Sequence, residues 1–377
     1  MPLMITIIGG GVFGLTIGWY LARAGQPVTV FERGQVGHGA TWVAAGMLMP
    51  WRLSNSFDVN LFQLQRTSHA LWPEFAQTLM AHTNLTFDYQ TDGRYFVALD
   101  EKAQRRFQKQ YDYHQAQGFP LQWLTGDELR QREPHLGSKI VAGMASPWGY
   151  RVDSRRLIAA LRVAFLQAGG ILREHTVIQS LLIEADHVCG VKLADETVIQ
   201  SRTVIVAAGA WSGQIHGLPT ALAPLIQPLK GQSLTLHIAE PLLQQTVIGS
   251  IYLVPRHPNQ LIVGTTVEEN AGFDTQPTTS GLLDILTKAQ DILPAISRLP
   301  LIEHNAALRP TGPNRLPVLG TTHINGLIMA SGGHSYGILL SPIVAQALSQ
   351  FILTGELAAV IAPFCPHPAP LPKGEGV

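Results

Sequence analysis

Gly9, Gly11 and Gly14 in the run GGGVFG stand at G-x-G-x-x-G spacing. That spacing suits one task, holding a diphosphate against backbone N–H groups. The first glycine permits a tight turn, the second lets the anion approach the chain, and the third lets the following helix pack closely. The helix dipole and the N–H groups around Val12 and Phe13 then face the charge. Glu32 follows Gly14 by eighteen residues, with Arg33 next to it. A carboxylate there can accept hydrogen bonds from adenosine ribose hydroxyls and repels a 2′-phosphate. Together these residues read as a dinucleotide site. NAD and FAD proteins share the unit, so it does not choose between them.

These residues require particular elements around them. Ile5 to Ile8 is a short β-branched run without alternation, as expected of a parallel strand covered on both faces. Val12 to Ala24 has helical periodicity, with Gly14, Gly18 and Ala22 on one face, and Gly25 ends it. Val28 to Phe31 reads as the next strand and completes a βαβ unit. Thr203 to Ser212 (TVIVAAGAWS) and Leu327 to Pro342 (LIMASGGHSYGILLSP) repeat the strand-then-glycine theme. Ser341 and Pro342 are expected to cap and begin a last helix that Gly355 ends. Leu85 to Tyr150 and Leu218 to Leu301 have more alternating apolar and polar residues, which suggests a second, largely antiparallel sheet.

The fold class expected is therefore α/β, α+β overall. A discontinuous Rossmann-like domain spans residues 1–84, 150–217 and 302–362, a substrate domain spans 85–149 and 218–301, and 363–377 forms a proline-rich mobile tail. The 377 residues carry 26 Lys+Arg against 26 Asp+Glu, so no basic surplus exists for nucleic acid or anionic lipid. Cys189 and Cys365 stand alone, and no histidine pair has ligand spacing, so neither disulfides nor a metal is indicated. No uninterrupted apolar run long enough to span a bilayer is read, and the apolar start is not read as a signal peptide. A cytoplasmic location is expected.

Five blocks in order carry a resemblance: GGGVFGLTIGWYLARAGQPVTVFERG, GHGATWVAAGML, TVIVAAGAWS, ALRPTGPNRLPVLG and GGHSYGILLSP. Together they resemble the D-amino-acid oxidase family of FAD-dependent oxidoreductases, and within it the glycine-oxidase branch of bacterial thiamine biosynthesis. The resemblance implies FAD, bound noncovalently because no cysteine follows the segment after LRP. It implies that Thr41 lies along the pyrophosphate and ribityl chain, and that Ala44, Ala45, Gly46 and Met47 lie beside the flavin ring. Val177 would touch adenine through its main chain, and Ala208 and Gly209 would form a second nucleotide-contacting turn. Gly333, His334, Ser335, Tyr336, Gly337 and Ile338 would bring amides to the flavin edge that gains negative charge on reduction.

The same resemblance assigns the substrate carboxylate to Arg309, whose fork can offer two parallel donors. It sets Tyr252 beside the substrate. Arg256 reads better as a surface residue than as a second contact, and His334 stands between a flavin contact and a structural role. The branch usually carries a Phe-Arg-Asn-Gly run after this histidine, where this chain has Ser335-Tyr336-Gly337. That loss of charge, with Trp51 and Arg52 near the AAGML segment, admits sarcosine or a D-amino acid beside glycine as substrate.

The activity implied is hydride transfer from Cα to flavin N5, giving an imine that hydrolyses to an oxo acid while dioxygen becomes hydrogen peroxide. Alternatives are a D-amino-acid or D-proline-type dehydrogenase that passes electrons to a quinone or other acceptor, and a nonenzymatic flavin-nucleotide-binding module. A homo-oligomer stands open.

Overall fold

The computed structural model describes residues 4–50 and 58–366. Trp51, Arg52 and the chain from 367 onward lie outside the described residues.

The β-branched run folds as the strand Ile5–Ile8, central in a six-stranded sheet. Val28–Phe31 and Thr203–Val206 flank it in parallel, Leu327–Ser331 and Ile171–Arg173 extend it in parallel, and Val318–Thr321 closes one edge antiparallel. Both faces are covered, which is why the run does not alternate. Ile5, Ile7 and Val30 pack into the core that includes the helices Val12–Arg23, Ser154–Gln167 and Gly337–Thr354. Ile8, Phe31 and Val206 pack on the opposite side, against a three-stranded sheet spanning Ile178–Gln200. Gly18 lies under the Phe165 ring and Val30, as the small-residue stripe predicts.

The second sheet has eight strands and one parallel pair, Thr246–Ile248 with Arg94–Phe96. Its outer face packs on the helix Thr279–Ile292 through Ile285, Ala289 and Ile292. Leu301–Thr311 also belongs to this sheet, paired antiparallel with Gln227–His237. By pairing, therefore, the segment assigned to the first domain from 302 joins the second sheet through Thr311. Its residues are mostly half-buried without clean alternation, so the sequence pattern did not disclose it.

The end of the chain differs from expectation in three ways. The last helix begins at Gly337, not at Ser341, and Pro342 lies inside it. Pro342 has no N–H to give to the Ile338 carbonyl; the Ser341 hydroxyl donates to that carbonyl at 2.9 Å, so the helix runs on. This helix has the length and composition of a membrane span, yet 61% of it is buried in the core. The tail expected to be mobile from 363 is packed at its start, where Phe364 is buried and the Cys365 thiol lies against Gly320; its residues from 367 lie outside the described residues.

Candidate active site

The parallel strands end at Ile8, Phe31, Val206 and Ser331, and these ends open onto one cavity of about 1080 Å³ beneath the eight-stranded sheet. Gly9 turns away from its strand at φ 108°, where a Cβ would meet the Ala207 carbonyl oxygen at 2.5 Å. The helix that follows opens at Gly11, which has no side chain to cap it. A Cβ on Gly11 would meet nothing closer than the Thr41 hydroxyl at 3.8 Å, so the backbone there faces open space. Thr41 Oγ1 accepts the Val12 N–H at 3.3 Å. Gly14 does not line the cavity; it abuts the turn, and a Cβ there would lie 1.9 Å from the Gly9 carbonyl oxygen.

Glu32 closes one end. Its carboxylate accepts from the Gly10 N–H at 2.8 Å and the Gly34 N–H at 3.0 Å, which fixes it at the cavity wall. The Arg33 guanidinium lies over the Trp211 ring at 3.6 Å. Val177 lines the same end, with its carbonyl accepting from the Ala194 N–H. Ala208 and Gly209 reach the cavity from the end of the strand Thr203–Val206, where the chain continues as a short 3-10 turn.

Further along, Ala44, Ala45, Gly46 and Met47 form one wall, and Gly333 to Ile338 form another. Arg256 is not a surface residue: it is 6% exposed and donates to the Ala44 carbonyl at 3.2 Å, with Asp153 behind it at 3.7 Å. It buttresses the wall from outside the cavity. His334 takes a left-handed φ of 45°, and its N–H donates to the Pro310 carbonyl. Ser335 meets His334 Nδ1 at 2.8 Å, while His334 Nε2 is buried without a partner among the described residues. Burial first, then the charges of Arg309 and Arg315, push its pKa down to about 4, so the ring is neutral at neutral pH. The Tyr336 hydroxyl bonds Gln65 of the helix Val59–Thr83.

The eight-stranded sheet presents Arg309 and Tyr252 to the cavity. Arg309 Nη2 donates to Thr265 Oγ1 at 2.7 Å, and Nη1 reaches the Lys230 carbonyl at 3.5 Å. Thr265 is itself oriented by donating to the Gln232 carbonyl at 2.9 Å. No carboxylate pairs with Arg309 among the described residues. Burial lowers its pKa, opposed by Tyr252 and Glu268, and the group stays cationic at neutral pH. Tyr252 is raised by burial, partly offset by Arg309 and a hydrogen bond to Thr265. The arrangement is a buried cation beside a phenol, chemistry that can accept a carboxylate.

The cavity therefore joins in one space the helix end at Gly11, the Glu32 carboxylate and the Arg309–Tyr252 pair. A family profile described as FAD dependent oxidoreductase (DAO) matches residues 4–351. The chain belongs to this family. Its relatives include the glycine oxidase of Geobacillus kaustophilus strain HTA426, 31% identical over 366 residues that cover 96% of this chain and 95% of the relative. The crystal structure of glycine oxidase from Geobacillus kaustophilus superposes with a TM-score of 0.90 at 30% identity, covering 97% and 99% of the two chains. That of iminodiacetate oxidase from Chelativorans sp. BNC1 gives 0.85 at 26%, covering 96% and 98%. The family member described here is an enzyme of the amino-acid and amine oxidase kind, and its cofactor is FAD. The residues present fit that cofactor, since the uncapped helix end at Gly11 leaves room for a diphosphate against the backbone.

Sequence reading missed the residues that make room for the receptor. A Cβ on Gly231 would lie 2.3 Å from the Arg309 guanidinium, and one on Gly264 would lie 2.5 Å from the Tyr252 hydroxyl. Both are glycines inside strands, a signal for close approach, but what approaches them comes from a neighbouring strand. Arg94 was also missed. It is 3% exposed and lines the far end of the cavity.

Proposed function

We propose that this enzyme oxidises the Cα–N bond of a small amino acid such as glycine, sarcosine or a D-amino acid, giving an imine that water hydrolyses to an oxo acid. The observation that carries this reading is the buried, carboxylate-free Arg309 beside Tyr252 and Thr265, in one cavity with the glycine turn.

In this reading Gly9, Gly11, Val12, Phe13 and Thr41 hold the diphosphate of a noncovalent FAD, and Glu32, Arg33, Val177, Ala208 and Gly209 hold its adenosine. Ala44 to Met47 and Gly333 to Ile338 enclose its ring. Bound there, FAD would supply the two-electron acceptor for the hydride leaving the substrate Cα, and dioxygen would take up that electron pair with two protons as hydrogen peroxide. Arg309 pairs with the substrate carboxylate and fixes the molecule by one end, and Tyr252 adds a hydroxyl contact. The neutral His334 adds no positive charge near the substrate amine, which keeps its lone pair to form the C=N bond. Positioning and exclusion of water, rather than a general base, carry the rate. The small side chains of the Ala44–Gly46 wall keep that side of the cavity free of proton donors.

The test is anaerobic mixing of the yellow protein with glycine, sarcosine and a panel of D-amino acids. Bleaching of the flavin by at least one of them is expected, with oxygen uptake on readmitting air. Bleaching without oxygen uptake makes the enzyme a dehydrogenase, and failure of every amine to bleach it removes the amine-oxidase reading.

A further inference from the structure

Arg94 opens the strand Arg94–Ala98 and is buried, yet no carboxylate lies within ion-pair reach of it among the described residues. Its Nη2 donates to the Tyr150 carbonyl at 3.1 Å, and its Nε has no partner among the described residues. The nearest acid, Asp92, is taken by Arg151, whose Nη1 reaches both carboxylate oxygens at 2.8 and 2.7 Å. His69, which also faces Arg94, is held neutral with a pKa of about 4, chiefly by burial. Burial lowers Arg94 itself to about 9, with the Arg151 charge adding to the effect and Asp92 opposing it. A buried cation in this state lacks a counter-charge.

Its position connects it to the substrate. Phe96, on the same face as Arg94, pairs with Ile248, and Ile248 pairs with Tyr252. These residues and Met49 line the cavity, so an apolar stretch separates the Arg309–Tyr252 receptor from Arg94. Arg94 reaches from this sheet to the Tyr150 carbonyl in the short ladder of Met47–Leu48 with Tyr150–Arg151, and lines the cavity there. Arg309 and Arg94 are therefore two cationic points on the wall of one cavity.

We propose that Arg94 is a second anion-binding subsite, and that the preferred substrates are amino acids carrying a further acidic group on the nitrogen or the side chain. This rests on the reading of Arg309 as the receptor for the first carboxylate. The chemistry oxidises the same Cα–N bond; Arg94 adds binding energy at the remote end.

The test compares holoenzyme and its Arg94→Met and Arg94→Lys variants on iminodiacetate, D-aspartate and D-glutamate against sarcosine, glycine and D-alanine. The ratio of kcat/KM for diacid over monoacid is expected to exceed one in the wild type. It should fall about tenfold or more in Arg94→Met, through KM, and recover in part in Arg94→Lys. A ratio below one in the wild type, or a smaller fall in Arg94→Met, overturns the proposal. Should Arg94→Met fail to fold, titration of the wild-type flavin spectrum with unreactive glutarate and propionate decides. Glutarate binding about tenfold tighter supports the subsite, and equal or weaker binding overturns it. Failure of the underlying reading is separately visible, because Arg309→Ala would then leave oxidation of monoacids and diacids alike unchanged.

Discussion

In its proposed role Arg309 depends on three neighbours: Gly231 makes room for its fork, Thr265 anchors one Nη, and Tyr252 stands beside it where it would share the ligand. Only the arginine and the tyrosine were legible in the sequence, through the family resemblance. Arg309→Ala is expected to lower kcat/KM by about 2–4 kcal/mol in transition-state terms, roughly 30- to 1000-fold, because a desolvated carboxylate loses its charged partner. Steady-state kinetics on the best substrate measures this, and unchanged kinetics removes Arg309 from the site. Arg256 shows how a residue type misleads. An arginine two positions before a proline reads as surface, yet the fold buries it against Ala44 and Asp153.

At the scale of elements, the glycine turn is a packing device as much as a binding one. Gly14→Ala drives a methyl group to within 1.9 Å of the Gly9 carbonyl oxygen, so helix and turn must separate. The expected outcome is protein purified with a lower flavin-to-protein absorbance ratio and FAD affinity weakened at least about tenfold, since the amides that face the anion move with the helix. A flavin content equal to wild type would contradict it. In the last helix, Ser341→Ala leaves the Ile338 carbonyl buried without a donor, because Pro342 cannot supply one. A loss of about 1–3 kcal/mol is expected in denaturant unfolding of the holoenzyme. Here the sequence misled by a familiar rule, as Ser-Pro does open many helices, but packing of Ile338, Leu339 and Leu340 in the core extends this one backward.

For the whole molecule, the two sheets are tied where the helix Ser154–Gln167 meets the strand Leu301–Thr311. Arg155 pairs with Glu303 through both Nη groups, lies over the Trp42 ring at 4.4 Å, and donates to the Trp42 carbonyl. Glu303 is held below its ordinary pKa mainly by Arg155, while burial holds His69 and His334 near 4. The signs agree. A histidine depressed on folding binds protons more readily when unfolded, so stability is fully present above about 6.5 and is lost as pH falls toward 4. The depressed carboxylate loses its contribution over a lower range, as pH falls through its folded pKa. Tm is therefore expected to drop steadily from pH 7 to pH 4.5, and a His69→Gln, His334→Gln double variant should drop less above pH 5. A parallel decline in both proteins would show that the histidines do not contribute.

The sequence by itself determined the βαβ start, the dinucleotide site and the two sheet types, because glycine spacing, strand texture and terminal carboxylate are local properties of the chain. It also determined which family's blocks are present, and with them the arginine proposed to face the substrate. Only the tertiary structure decided that Leu301–Thr311 joins the second sheet, that Arg256 supports the cavity wall, and that Arg94 lines the cavity with no ion-pair partner among the described residues. Each of those depends on which strand lies beside which, and on how much water a charge retains. Neither quantity is set by the residues adjacent in the chain.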